Sequence, residues 1–288
     1  MVNPINWPTH TIEVISVQHF YDQLDHLENA VILDLCQSQT YAWSHIPGAV
    51  HLPISKIIRT EGYASGLAPS AQQLLTLARD FGLSPNRSVY IYDDEGGGWA
   101  GRMIWLLDIL GITSVYYVNG GLRAWMLAGF PLESTKRKPV ACDNFSADDY
   151  ELNWFPNIEL DEMRVLVASE DYSIWDARSF EEYAGLCQYA QKKGHMPGAK
   201  HYDWQSGMQL EQGSVIRPLD AIRAELQALG ISKEKPVVTH CQTHHRSGFS
   251  YLLGRLLGFN IRAYAGSWSE WGNLPDTPCV TETIRLSD

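Results

Sequence analysis

Cys241, His244, His245 and Arg246 fall within one short segment, and side chains of these types could run thiol chemistry on an anion. Cysteine is a nucleophile as its thiolate, which a nearby cation and a ring of inward backbone N–H groups both favour. Arg246 supplies a cation at the end of Cys241-Gln242-Thr243-His244-His245-Arg246. The amides depend on the elements that hold the segment. Before it stands Pro236-Val237-Val238-Thr239-His240, a short apolar and β-branched run that predicts a buried strand. After it, Phe249 to Gly258 carries apolar residues at helical spacing and closes on glycine, which predicts a helix. A loop between a strand end and a helix start points unpaired N–H groups and the positive end of the helix dipole inward. Cys241 sits at that turn, so its thiol is expected to ionise readily. The plain alternative is a buried cysteine capping a strand, and the loop chemistry argues against it.

The chain has 288 residues, enough for two domains of ordinary size, and 45% hydrophobic with 19% charged residues supports full cores. A net charge of −11 disfavours nucleic acid or an anionic membrane as partner, so an anion must be met by a local positive site. The N-terminus shows no basic segment followed by an apolar core, and no window approaches a membrane span, so the expected compartment is the cytoplasm. Cysteines at 36, 142, 187, 241 and 279 form no CxxC pair and suit a reducing compartment.

The halves repeat. Val31-Ile32-Leu33-Asp34 matches Ser173-Ile174-Trp175-Asp176, and His45-Ile46-Pro47-Gly48-Ala49 matches His195-Met196-Pro197-Gly198-Ala199. Val89 to Asp93 matches Val237 to Cys241, and Gly120 to Trp125 matches Gly266 to Trp271. The offsets are 142 (Asp34 to Asp176), 150 (His45 to His195), 148 (Asp93 to Cys241) and 146 (Trp125 to Trp271). Four ordered matches at nearly one offset mark a duplication. Each copy alternates short apolar strands with amphipathic helices such as Ala71 to Phe81 and Leu219 to Leu229, so the fold class is α/β with mainly parallel sheets flanked by helices. The expected division is 1–137, a polar linker 138–152, and 153–288.

His45, His51, His195 and His201 are read as turn punctuation beside Pro-Gly, not as a metal site. Where the second half has Cys241, the first has Asp93-Asp94-Glu95-Gly96-Gly97-Gly98-Trp99, three acids and no cation. The acids are expected to repel an anion, and the glycines lack the lysine and spacing of a phosphate loop. The first domain is therefore read as an inactive scaffold that walls the second domain's cleft. Trp99, Trp105, Trp125, Trp268 and Trp271 are read as packing.

These residues together resemble the two-domain rhodanese family of sulfurtransferases. The resemblance rests on His-x-Pro-Gly-Ala in both halves, on Tyr92-Asp93 in place of His240-Cys241, on the cysteine loop, and on Gly266-Ser267-Trp268-Ser269-Glu270-Trp271-Gly272. It implies two tandem rhodanese-like domains, the first inactive. It implies that Cys241 takes a sulfane sulfur from a small anionic donor, holds it as a persulfide and yields it to cyanide or a thiol, a thioredoxin-like protein being one such acceptor. No metal or organic cofactor is implied. The donor contacts are expected from Gln242, Thr243, His244, His245 and Arg246, with Arg178 as a weaker candidate because an arginine so placed more often pairs with its local aspartate.

The loop departs from the family's common forms. Thiosulfate enzymes of the family carry basic residues directly after the cysteine and mercaptopyruvate enzymes carry Gly-Ser-Gly, whereas this chain has Gln242-Thr243-His244. The family tends to place an arginine six residues after the strand-end aspartate, where this chain has Glu182. Arg246 is expected to replace the missing charge, which favours thiosulfate over 3-mercaptopyruvate as donor. Four residues separate Cys241 from Arg246, a tighter ring than the five of the rhodanese-fold phosphatases. A metal site of Cys241 with His240, His244 and His245 lacks a second ligand segment; an imidazolium that keeps the thiolate charged is the preferred role for these histidines. The rival from another class is a non-catalytic persulfide carrier or redox-sensing module.

Overall fold

The computed structural model describes residues 7–142, 145–169 and 171–281. Residues 143–144 of the expected linker, residue 170, and the ends 1–6 and 282–288 lie outside the described residues.

Each half builds one five-stranded sheet whose strands all pair in parallel. The first runs, edge to edge, Ile12–Ile15, Val115–Val118, Ser88–Tyr92, Ala30–Asp34 and Val50–His51. The second runs Asn157–Ile158, Ile261–Tyr264, Val237–His240, Ser173–Asp176 and Lys200–His201, the same order one repeat later. The register repeats too, since Tyr92 stands opposite Asp34 and His240 opposite Asp176. The central strands are the apolar runs Ser88–Tyr92 and Val237–His240, the latter buried at every position because helices cover both of its faces.

Helices at Ala71–Phe81 and Leu219–Ala228 match the sequence reading. A capping box, Ser70 with Gln73, starts the first of these, and Gly82 at φ +62° ends it. The helix after Cys241 begins earlier than its apolar pattern, at Arg246, and runs to Leu256. Its first turn is polar, so hydrophobic periodicity could not mark it. The equivalent helix of the first half is Gly98–Leu110.

These two helices pack on each other and join the halves. A Cβ on Gly101 would stand 2.2 Å from the Gly248 carbonyl oxygen, and one on Gly248 would stand 2.5 Å from that of Gly98, so the seam accepts glycine alone. Along the seam, Tyr251 donates to Asp108 at 2.5 Å, Arg255 pairs with the same carboxylate, and the Trp105 indole donates to the Pro156 carbonyl at 3.1 Å. One buried apolar cluster runs through both halves, including Trp105, Leu107, Phe249 and Leu253. Each such side chain contributes about 1.5–3 kcal/mol of burial. Among the described residues no helix is long and apolar enough to cross a membrane.

Candidate active site

The strand Val237–His240 delivers Cys241 to the base of a loop that the helix Arg246–Leu256 closes. Cys241 has no exposed surface, while Gln242, Thr243, His245 and Arg246 are partly exposed above it. The Cys241 N–H donates to Ser267 Oγ at 3.3 Å, and the Cys241 carbonyl accepts from the Trp268 N–H at 2.9 Å. The Gln242 carbonyl accepts from the Ser269 N–H at 2.9 Å. The segment Gly266 to Trp271 therefore backs the loop, with Trp268 and Trp271 buried as packing. Ser247 lies at the first turn of the helix and its hydroxyl donates to Cys241 Sγ at 3.4 Å.

The first domain presses on the same loop. A Cβ on Gly66 would stand 2.2 Å from the Thr243 carbonyl oxygen, and Arg102 donates to the carbonyls of Thr243 and His244 at 3.4 and 3.3 Å. His245 stacks on Trp99 with centroids 4.1 Å apart, and its Nε2 lies 3.1 Å from Glu95 Oε2. That ring beside it holds the Glu95 carboxyl below the usual range.

The counterpart loop displays what such a ring of amides can hold. Asp93, at the position of Cys241, accepts five backbone N–H groups: Glu95, Gly96 and Gly97 on Oδ1 at 3.1, 3.1 and 2.8 Å, and Trp99 and Ala100 on Oδ2 at 3.0 Å each. The Asp93 side chain itself takes these amides, so the first loop is closed to a dissolved anion. At the offset of 148 the matching amides are those of Thr243, His244, His245, Ser247 and Gly248.

Several expected contacts fall elsewhere. Arg178 is buried, pairs with Asp176 at 2.6 Å, donates to the Gly194 carbonyl at 2.8 Å and lies over the Trp268 ring. Its charge is engaged inside the domain in a buried ion pair. The His244 ring is also buried, bonded through Nδ1 to Ser247 Oγ at 2.8 Å and edge-on to Trp105, which removes it from the rim. Burial pushes His244 well below the usual imidazole range, and pushes His240 down against the partial opposition of Asp176. Both rings are neutral at pH 7, so neither is the expected imidazolium. His240 lies against Asp176, His244 against Trp105 and His245 against Glu95. His45 and His195 each place Nδ1 on a nearby carbonyl, Tyr41 at 2.7 Å and Tyr183 at 2.8 Å, and stack on those tyrosines.

Gln242 donates from Nε2 to the Tyr189 carbonyl at 3.2 Å, and Thr243 meets the first domain through its backbone. Arg246 closes on Glu182, with Nη2 to Oε1 at 2.8 Å and Nη1 to Oε2 as the second bond. Burial raises the Glu182 pKa and the guanidinium more than reverses it, leaving the carboxylate charged. Ser247, Ser267, Arg102 and Glu95 were not visible as site residues. The Gly-Ser-Trp-Ser-Glu-Trp repeat marked the neighbourhood of Ser267, but Arg102 and Glu95 arrive only through the packing of one half on the other.

Two parallel α/β units, one whose loop holds Asp93 on five backbone N–H groups and one with Cys241 at the equivalent position, define a tandem protein. The rhodanese-like domain family matches residues 16–128 and again 159–274, and the chain belongs to that family. The chain is 41% identical over 249 residues to a thiosulfate sulfurtransferase of Azotobacter vinelandii, covering 86% of this chain and 90% of the relative. It is 25% identical over 247 residues to a 3-mercaptopyruvate sulfurtransferase of Escherichia coli, covering 84% and 85%. A solved variant of EanB in complex with ergothioneine has the same fold, with TM-score 0.84 at 20% identity over 95% of this chain and 71% of that one. The protein is a sulfurtransferase enzyme with two rhodanese domains.

Proposed function

We propose that Cys241 is the nucleophile and that thiosulfate is the favoured donor. The Cys241 thiolate attacks the outer sulfur, the sulfur–sulfur bond of thiosulfate breaks, and sulfite leaves with the electron pair. The loop amides and Arg246 stabilise the negative charge of the departing group and then of the persulfide. Cyanide or a thiol attacks the terminal sulfur in the second half of a ping-pong cycle and the Cys241 thiolate returns. In this scheme the side chains that touch the donor are in the loop, and no cofactor enters the balance. The carrying observation is the corresponding loop of the first domain, where Asp93, at the position of Cys241, accepts five backbone N–H groups.

Gln242, Thr243, His245 and Arg246 are proposed to form the donor's entrance, and the Thr243, His244 and His245 amides its floor. Thiosulfate asks only for such an anion cradle, whereas 3-mercaptopyruvate also needs partners for its carboxylate and keto oxygen. A persulfide carrier that serves a partner protein is the second reading, favoured by the full enclosure of Cys241 and by the engagement of Arg246 with Glu182. The reducing cytoplasm, with a thiol acceptor such as a thioredoxin-like protein, fits five free cysteines, and an acidic chain favours neither nucleic acid nor membrane. The test is the mass of the Cys241 peptide after incubation with each donor, together with steady-state turnover. A gain of one sulfur from thiosulfate with cyanide-dependent turnover supports the enzyme; a gain with no turnover on small acceptors supports the carrier; no gain at Cys241 overturns both.

A further inference from the structure

Arg102 belongs to the first domain, yet it reaches across the seam to the cysteine loop. Its guanidinium has no exposed surface, and every hydrogen bond described for it ends on a main-chain carbonyl. Two go to Ile57 at 3.0 and 2.9 Å and one to Leu67 at 2.9 Å, all within its own domain. The others go to Thr243 and His244 at 3.4 and 3.3 Å. Among the described residues no carboxylate pairs with it, and a buried charge without a counter-ion is costly to keep. Burial pulls Arg102 down to about 9, which leaves it charged at neutral pH, and Cys241 is the ionisable group that opposes the pull.

We propose that Arg102 is a positioning residue for sulfur transfer, aiming the His244 and His245 amides at the sulfur and supplying the buried counter-charge of the Cys241 site. The peptide unit is planar and trans, so a carbonyl and the N–H that follows it point in opposite directions. Holding the Thr243 and His244 carbonyls on the Arg102 side turns the N–H groups of His244 and His245 to the other side. Their counterparts, Gly96 and Gly97, are two of the three amides that hold Asp93 Oδ1. The scaffold domain thus contributes a charge and a backbone orientation to a reaction carried out in the other half. The inference rests on Cys241 as the reacting group.

The test uses the full chain with Arg102→Gln, Arg102→Met and Arg102→Lys, each checked for a cooperative thermal transition. Alkylation of Cys241 by iodoacetamide is followed by peptide mass across neutral and alkaline pH. In the two neutral variants the alkylation rate at pH 7 is expected to fall about tenfold, the equivalent of one pKa unit, and to recover at higher pH. The turnover number for thiosulfate falls while its KM changes little. The lysine variant restores the pH profile but not the full turnover number, because one ammonium cannot span four carbonyls. A folded glutamine or methionine variant with the wild-type alkylation profile overturns the proposal. Should both neutral variants fail to fold, the lysine variant decides, and a wild-type turnover number in it overturns the proposal. Absence of a persulfide in the wild-type protein would sink the proposed function instead, since the alkylation profile is read without any sulfur donor.

Discussion

Glu182 holds the Arg246 guanidinium with both carboxylate oxygens, and that clasp neutralises the cation the loop offers to an incoming anion. A bidentate arginine–carboxylate pair is among the stronger polar contacts, so a donor must compete with a ligand already in place. In the proposed reaction Arg246 is needed twice, once to hold Glu182 and once to meet the donor.

Replacing Glu182 with glutamine removes that competitor while keeping its shape. The KM for thiosulfate is expected to fall about tenfold, equivalent to about 1.4 kcal/mol, with the turnover number little changed. Steady-state kinetics decide it, and an unchanged or higher KM would mean that Arg246 does not receive the donor.

Cys241→Ser keeps the volume and the contacts with Ser247 and Ser267, so thermal stability should stay within about 1 kcal/mol of the wild type. Sulfur transfer and sulfur uptake should both vanish, read by thiocyanate production and intact mass. Residual turnover would place the nucleophile on another cysteine.

The buried neutral rings of His240 and His244 make the fold sensitive to acid. Their folded pKa values lie below the ordinary 6.5, so below pH 6.5 the unfolded chain binds protons that the folded chain refuses. Stability therefore rises with pH up to that point and is lost as the pH falls, by about 1.4 kcal/mol per pH unit for each ring. Denaturant unfolding at a series of pH values should show a shallower slope in His244→Asn than in the wild type; identical slopes would refute the assignment of a neutral His244.

Gly101→Ala places a methyl group against the Gly248 backbone, which no rotamer change can relieve. The halves must part, so the loss should exceed about 2 kcal/mol and activity should fall with it, since the helix that moves begins at Arg246. Calorimetry measures the first effect and a sulfur-transfer assay the second. A variant as stable as the wild type would show that the seam is looser than the Gly101–Gly248 approach indicates.

The legible parts were those written in local chemistry. Val237–His240 announced itself as an apolar strand, and Leu219–Ala228 as an amphipathic helix. The duplication told both sheets from one pattern. What escaped depended on the partner half. His244 reads as a polar loop residue, and Trp105 from the other domain packs edge-on against its buried ring. Arg102 sits in a helix with no local mark of its task, because the carbonyls it holds are far away in sequence. Arg178 followed the local rule, pairing with Asp176 two residues before it.

Asp93 is bonded to its own chain, so it meets its five amides at an effective concentration that dissolved ions do not reach. Duplication thus doubled the framework without doubling the cargo. On the proposed mechanism each polypeptide has one receptive cradle, and the expected loading is one sulfur per two folds.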